Sequence, residues 1–165
     1  MPVTRDIVAT YRGPGKVVRR LLTAGPREDR LLAIVMAACV VLFVARWPAL
    51  SRQAHLTGEE LNMLLGGALL ATVFIFPLLL YLLGFLVGVI GRPLGWKGGG
   101  YGARLALVWA LLASTPLVLL HGLVAGFVGP GPGLTLVGAL WFAIFVWFWV
   151  GGLRAAHHLG REGTQ

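Results

Sequence analysis

Inside the long apolar stretches of this 165-residue chain, the side chains that could ionise are Cys39, Tyr81 and His121. An ionisable group at membrane depth is a functional candidate by default. Ser114 and His121 have the types of a nucleophile and its base, and at i, i+7 they share a helix face. About 10.5 Å of helical rise separates them, against the roughly 3 Å that proton transfer needs. That pair forms only if the helix unwinds at Pro116, so His121 is read as a neutral group near the outer boundary, bonded to water or a backbone carbonyl. All six carboxylates lie outside the apolar runs, which leaves no acid–base pair or proton relay within them. The single cysteine, Cys39, can form no intramolecular disulfide and is expected to act as a small buried hydrophobe.

Two polar patterns outside the runs lead no further. His157 and His158 are adjacent, so on a helix they point about 100° apart, and two such histidines are not expected to hold a metal. The glycine-rich stretch 91–100 looks like a phosphate cradle, but a P-loop lysine is followed by Ser or Thr, and Lys97 is followed by Gly98. It is expected to be a flexible inner turn with Trp96 and Tyr101 at headgroup depth. The chain is therefore expected to be no enzyme, with no catalytic, cofactor-binding or metal-binding residues and no cofactor.

The elements that carry these residues are set by four apolar runs, Leu31–Ala45, Gly66–Ile90, Leu105–Val128 and Leu134–Leu153, none holding Asp, Glu, Lys or Arg. Roughly 20 apolar residues in a helix span a hydrocarbon core about 30 Å thick. Hydrophobic residues make up 58% and charged residues 12%, about half the charged share of a soluble domain. The expected fold is an all-α integral membrane protein with four transmembrane helices, about 30–47, 66–90, 104–128 and 134–153. A basic segment, 1–25, precedes a transmembrane domain, 26–165. The first run starts too late for a cleavable signal and is expected to remain as a span.

The net charge of +8 raises the question of nucleic acid, and its distribution answers it. With the N-terminus inside, twelve of the fourteen Lys and Arg fall on the cytoplasmic side and only Arg46 and Arg52 outside. Such a bias places both termini in the cytoplasm. The basicity then follows from topology and anionic lipid, with no nucleic-acid partner.

Local signals refine this. Thr4 can cap a short helix that Gly13-Pro14-Gly15 ends. In the next stretch Val17, Val18, Leu21 and Leu22 share a helix face flanked by Lys16, Arg19 and Arg20, the pattern of an amphipathic interfacial helix, apolar side toward lipid, with these three cations at anionic headgroups. Pro26 suits the first position of the first span. Thr57 and Glu60 have capping-box spacing, with Leu56 and Leu61 as staple, so the second long helix is expected to begin near Gly58. Pro77 and Pro116 allow kinks, with Ser114 and Thr115 placed to bond the backbone groups that Pro116 frees.

Two features bear on association. Gly84 with Gly88, and Gly122 with Gly126, are GxxxG pairs that let helix backbones approach closely. Trp141, Phe145 and Trp149 stand at i, i+4, i+8 and form an aromatic ridge facing lipid, a neighbouring helix or a partner protein; buried aromatics commonly anchor a protein contact.

Gly25-Pro26-Arg27-Glu28-Asp29-Arg30 before the first span, the third span with its proline, and Gly151-Gly152-Leu153-Arg154-Ala155-Ala156-His157 after an aromatic-rich last span resemble the bacterial branch of the Yip-domain family of small polytopic membrane proteins. That family is described with five spans where four are found here. The resemblance implies a bacterial inner-membrane location and transfers no catalytic residues. The expected function is a non-catalytic accessory, assembly or scaffold subunit of a larger membrane complex, with another membrane protein, a second copy and membrane lipids as partners. A small oligomeric transporter, channel or lipid-handling protein is the alternative; for transport, His121, Ser114, Thr115 and Thr72 are few polar groups to line a path.

Overall fold

A computed structural model describes residues 3–93 and 95–162. Residues 1–2, 94 and 163–165, which fall at the edges of the expected segments and in the expected inner turn, lie outside the described residues. The elements are helices α1 (Val3–Arg12), α2 (Pro14–Thr23), α3 (Glu28–Thr57), α4 (Leu61–Leu69), a π-helical turn (Leu70–Ile75), α5 (Phe76–Gly91), α6 (Gly99–Ala113), α7 (Thr115–Phe127) and α8 (Pro132–Glu162). There is no strand among the described residues.

Three helices are long and apolar enough to cross a bilayer: Glu28–Thr57, the continuous run Leu61–Gly91, and Pro132–Glu162, with mean hydropathies of 2.2, 2.7 and 2.0 over their most apolar stretches. At 1.5 Å per residue each is about 45 Å long. Helices α6 and α7 meet the same test only as a pair, bent by 47° at their junction. The chain is thus an all-α, multi-pass membrane protein. Leu78, Leu82, Phe85 and Ile90 on α5 each leave more than half their surface uncovered, an apolar face suited to lipid.

Helix α6 is the axis. From Leu105 to Ala113 every residue is buried, as are Gly102 and Ala103. A helix apolar on all sides belongs inside, and α5, α8, α3 and the N-terminal pair cover it. Small residues set the spacing: a methyl on Gly84 would stand 3.0 Å from the Arg104 Cα, and one on Gly88 3.2 Å from the Gly100 Cα. Arg104, in the first half of α6, pairs with Glu28 and lies 5.9 Å over the Tyr81 ring. Cys39 is fully enclosed in the core.

The N-terminal segment departs from expectation. It forms a helical hairpin, α1–α2, and the apolar side expected to lie on lipid is covered by the bundle. Val17 and Val18 are 3% and 1% exposed and join the main core. The reason is steric fit, since Gly152 and Ala106 leave a shallow seat where Val18 packs. Buried Thr10 accepts a hydrogen bond from Trp109 Nε1 at 3.0 Å and donates to the Asp6 carbonyl at 2.7 Å. Tyr11 meets Phe148 edge-on at 4.9 Å, and burial pushes its phenol above the usual range. Arg20 pairs with Asp6 at 2.5 Å and Arg19 with Glu162 at 3.1 Å.

These contacts gather the hairpin, the joint after α5 and the end of α8 at one end of the bundle, the near end. Lys97 N–H donates to His157 Nδ1 at 3.3 Å, and Trp96 stacks on His157 at 5.8 Å. The joints after α3 and α7 lie at the far end, where Arg52 Nη1 donates to the Gly126 carbonyl at 3.4 Å.

Two helix boundaries correct the reading. Pro26 precedes α3, which starts at Glu28 with Arg27 at its cap. Thr57 ends α3 rather than capping α4: its hydroxyl donates to the Gln53 carbonyl at 3.0 Å, and Gly58 at φ +75° supplies the left-handed stop. Helix α4 begins three residues later than expected, at Leu61, and Leu56, 70% exposed, staples nothing.

Candidate functional site: a cavity under the bend

The bend between α6 and α7 is written into Ser114-Thr115-Pro116. Pro116 has no N–H for the Leu112 carbonyl, so that oxygen loses its helical donor. Thr115 Oγ1 takes the place, donating to Leu112 O at 2.7 Å, and Ser114 Oγ donates to Leu111 O at 2.9 Å. The Ser114 hydroxyl also accepts from Trp141 Nε1 at 3.1 Å, tying the bend to α8. Over the 13 residues of α7 a 47° tilt carries its far end about 14 Å sideways.

That displacement brings α7 onto α3, where the second GxxxG pair meets it. A methyl on Gly122 would sit 1.8 Å from the Ala45 carbonyl oxygen, and one on Gly126 2.3 Å from Pro48 Cβ. The same displacement takes α7 away from the line of α6, which alone stays packed along α5. A half-open cavity of about 720 Å³ lies in the space between α3, the π-helical turn, α5, α7 and α8.

Its lining is graded along the bundle axis. On the near side, the floor, stand bulky apolar groups: Leu42, Ile75, Phe76, Leu79, Val118 and Trp141. On the far side, taken as the mouth, the lining residues are small or polar: Ala49, Ala71, Thr72, Gly122, Ala125 and Gly138, together with Arg46 and His121. Chain direction produces this order. Helices α3 and α7 run from near to far, so Arg46 and His121 come after Leu42 and Val118, while the π-helical turn and α8 run the other way. The wider π-helical turn, placed just before Pro77, presents Ala71, Thr72 and Ile75 to the space; such turns recur at functional sites.

The mouth is electropositive. It is lined by Arg46, an exposed residue, and by His121, and by no carboxylate among the described residues. Glu59, at the same end, is turned to Gln53 at 3.2 Å. Arg46 makes no ion pair with a carboxylate among the described residues, whereas Arg52 is taken up by the α3–α7 seam and packs under Gly129. The volume lies within the roughly 300–1,000 Å³ of sites that hold small organic ligands.

The predicted site residues are distributed as follows. Gly84 and Gly88 face α6, and Gly122 and Gly126 face α3. Lys16 is exposed on the hairpin, while Arg19 and Arg20 carry the carboxylate pairs given above. Trp141, Phe145 and Trp149 do form a continuous stack, with ring centroids 6.0 and 6.1 Å apart. The ridge is half-buried and packs on the protein's own core, with Trp141 bonded to Ser114. The cause is α6, an all-apolar helix that needs such a cover. Ser114 and His121 are not brought together, since the serine hydroxyl is occupied by Leu111 and Trp141 and His121 lies against Gly138. Among the described residues no three metal-ligating side chains gather.

Sequence reasoning missed Arg46 as a site residue, having counted it only as an outside charge. It also missed the π-helical turn. The signal for Arg46 was its position, the first charge after the apolar run of α3. Comparison with protein-family models, with curated proteins and with solved structures returns no match.

Proposed function

We propose that this chain is a lipid-handling membrane protein whose working site is the cavity under the α6–α7 bend, and that the site takes up one amphiphilic molecule. The observation that carries this reading is the graded lining, apolar and bulky at the floor, small and cationic at the mouth. A lone apolar cleft would fit any neighbouring helix or lipid tail; a cleft with one polar end fits a molecule with one polar end. The partner-subunit reading leaned on the aromatic ridge of α8, part of whose surface is taken up by the protein's own core, whereas the cavity offers a defined site, so the lipid-handling reading is preferred.

The same proposal takes the α6–α7 pair as a fourth, bent span and puts the near end in the cytoplasm of a bacterial inner membrane. The supporting argument is the bias of Lys and Arg toward that end. Exposed Arg5, Arg12 and Lys16 then face anionic headgroups, each contributing about 1 kcal/mol at the surface. The cavity mouth opens toward the outer leaflet. The resemblance to the Yip-domain family is kept as kinship only and adds no activity.

The test is saturable binding of a radiolabelled single-chain amphiphile, myristate, by the protein in nanodiscs of neutral lipid, with protein-free nanodiscs subtracted. The native chain is expected to bind about one molecule, and the cavity-filled variant Ala49→Leu with Ala71→Phe to bind none while unfolding at the same point. Equal binding by both would remove the cavity from the function.

A further inference from the structure

We infer that the cavity selects an anionic amphiphile, an acid group on an acyl chain, and that Arg46 is the residue that sets this charge preference. The inference rests on the cavity reading and adds the charge class of the occupant.

Two cations stand at the far end of α3, and the fold treats them differently. Arg52 is used structurally: its guanidinium lies where a methyl on Gly129 would come within 2.6 Å of it, and it donates to the Gly126 carbonyl. Arg46, six residues nearer the core, is an exposed residue that lines the far side of the cavity and pairs with no carboxylate among the described residues. An exposed guanidinium at the margin of an apolar run is open to a counter-ion, and no carboxylate among the described residues lines the cavity to supply one. An acid headgroup supplies one. The guanidinium fork matches a carboxylate or a phosphate in two parallel hydrogen bonds, so either acid satisfies the chemistry.

The rest of the lining agrees with a headgroup at that level. Thr72, 7% exposed, and His121 offer hydrogen-bonding groups to the remaining headgroup oxygens, and the small side chains of Ala49, Ala125 and Gly138 leave room for them. From Ala49 down to Leu42 is about 10 Å of helix, so the cavity holds a headgroup and the first part of a chain. The remainder of the chain extends beyond the cavity.

Four probes of one chain length separate charge from hydrophobicity: myristate, myristyl phosphate, myristyl alcohol and myristyl trimethylammonium. Each is measured at alkaline pH in neutral nanodiscs, against native protein, Arg46→Lys and Arg46→Gln. Both acids are expected to bind the native chain about tenfold tighter than the alcohol, with the trimethylammonium weakest. Arg46→Lys should keep most of that preference and Arg46→Gln abolish it, leaving the alcohol's affinity unchanged. The ratio of the two acids then names the headgroup source. If the acids and the alcohol bind the native chain equally, or if Arg46→Gln keeps the preference, the charge inference is overturned while the cavity reading stands. Binding of no probe to the native chain overturns both. Should Arg46→Gln fail to fold, Arg46→Met takes its place as the uncharged variant, with the same loss of preference expected and a retained preference overturning the inference.

Discussion

Substituting Gly122 by alanine probes the seam that creates the cavity. The new methyl would lie 1.8 Å from the Ala45 carbonyl oxygen and 2.7 Å from its carbon. Both are backbone atoms, so no side chain can rotate away. To restore even a 3.0 Å contact, α7 must withdraw from α3 by about 1.2 Å. Overpacking of this kind costs about 1–3 kcal/mol, and a rigid backbone on both sides argues for the upper half of that range. The gain from replacing a helical glycine by alanine, about 0.5–1 kcal/mol, offsets part of it, leaving a loss of about 2 kcal/mol. Gly67→Ala is the control, because nothing lies within 4 Å of its methyl. That variant should be neutral or slightly stabilised. Unfolding by sodium dodecyl sulfate in mixed micelles, followed by the near-ultraviolet dichroism of the stacked Trp141, Phe145 and Trp149, measures the difference. If Gly122→Ala unfolds at the same detergent fraction as Gly67→Ala, the close approach of α3 and α7 is wrong, and so is the cavity's outline.

Three further outcomes follow from the same geometry. Thr115→Val should strip the Leu112 carbonyl of its donor at the bend and cost about 1–3 kcal/mol in the same unfolding assay, with Thr115→Ser close to native. Thr10→Val should leave Trp109 Nε1 buried without an acceptor, at a similar cost, and blue-shift tryptophan emission; an unchanged unfolding point would detach the hairpin from the bundle. Reporter fusions should give cytoplasmic signals at residues 1, 97 and 165 and external signals at 55 and 131, and an external signal at Lys97 would invert the proposed topology.

What could be read from the chain was whatever depends on neighbours in sequence. The bend at Pro116 is legible because proline removes a donor at a known carbonyl, four residues back, and Thr115 stands beside it. The GxxxG pairs are legible for the same reason, since spacing alone puts Gly84 with Gly88 and Gly122 with Gly126 on one face. The amphipathic side of α2 is visible in sequence, but what covers it is not: lipid and the Gly152–Ala106 seat both favour Val18. Thr57 failed because threonine followed by glycine serves a helix end as readily as a helix start, and Gly58 decided it. Nothing local marks the cavity. Arg46, Thr72, His121 and Trp141 come from four separate helical segments and meet only after α7 has tilted.

The most direct measurement of the central claim is where a bound chain touches the protein. Myristate carrying a photoreactive diazirine near its carboxylate, activated in nanodiscs and mapped by peptide mass spectrometry, reports this without any substitution. The predicted adducts fall in 42–49, 71–79 and 118–125, the three stretches whose residues form most of the cavity lining, and unlabelled myristate competes them away. Adducts concentrated instead on the open lipid face of α5, at Leu82, Phe85 and Ile90, and indifferent to competitor, would contradict a specific amphiphile site in this protein.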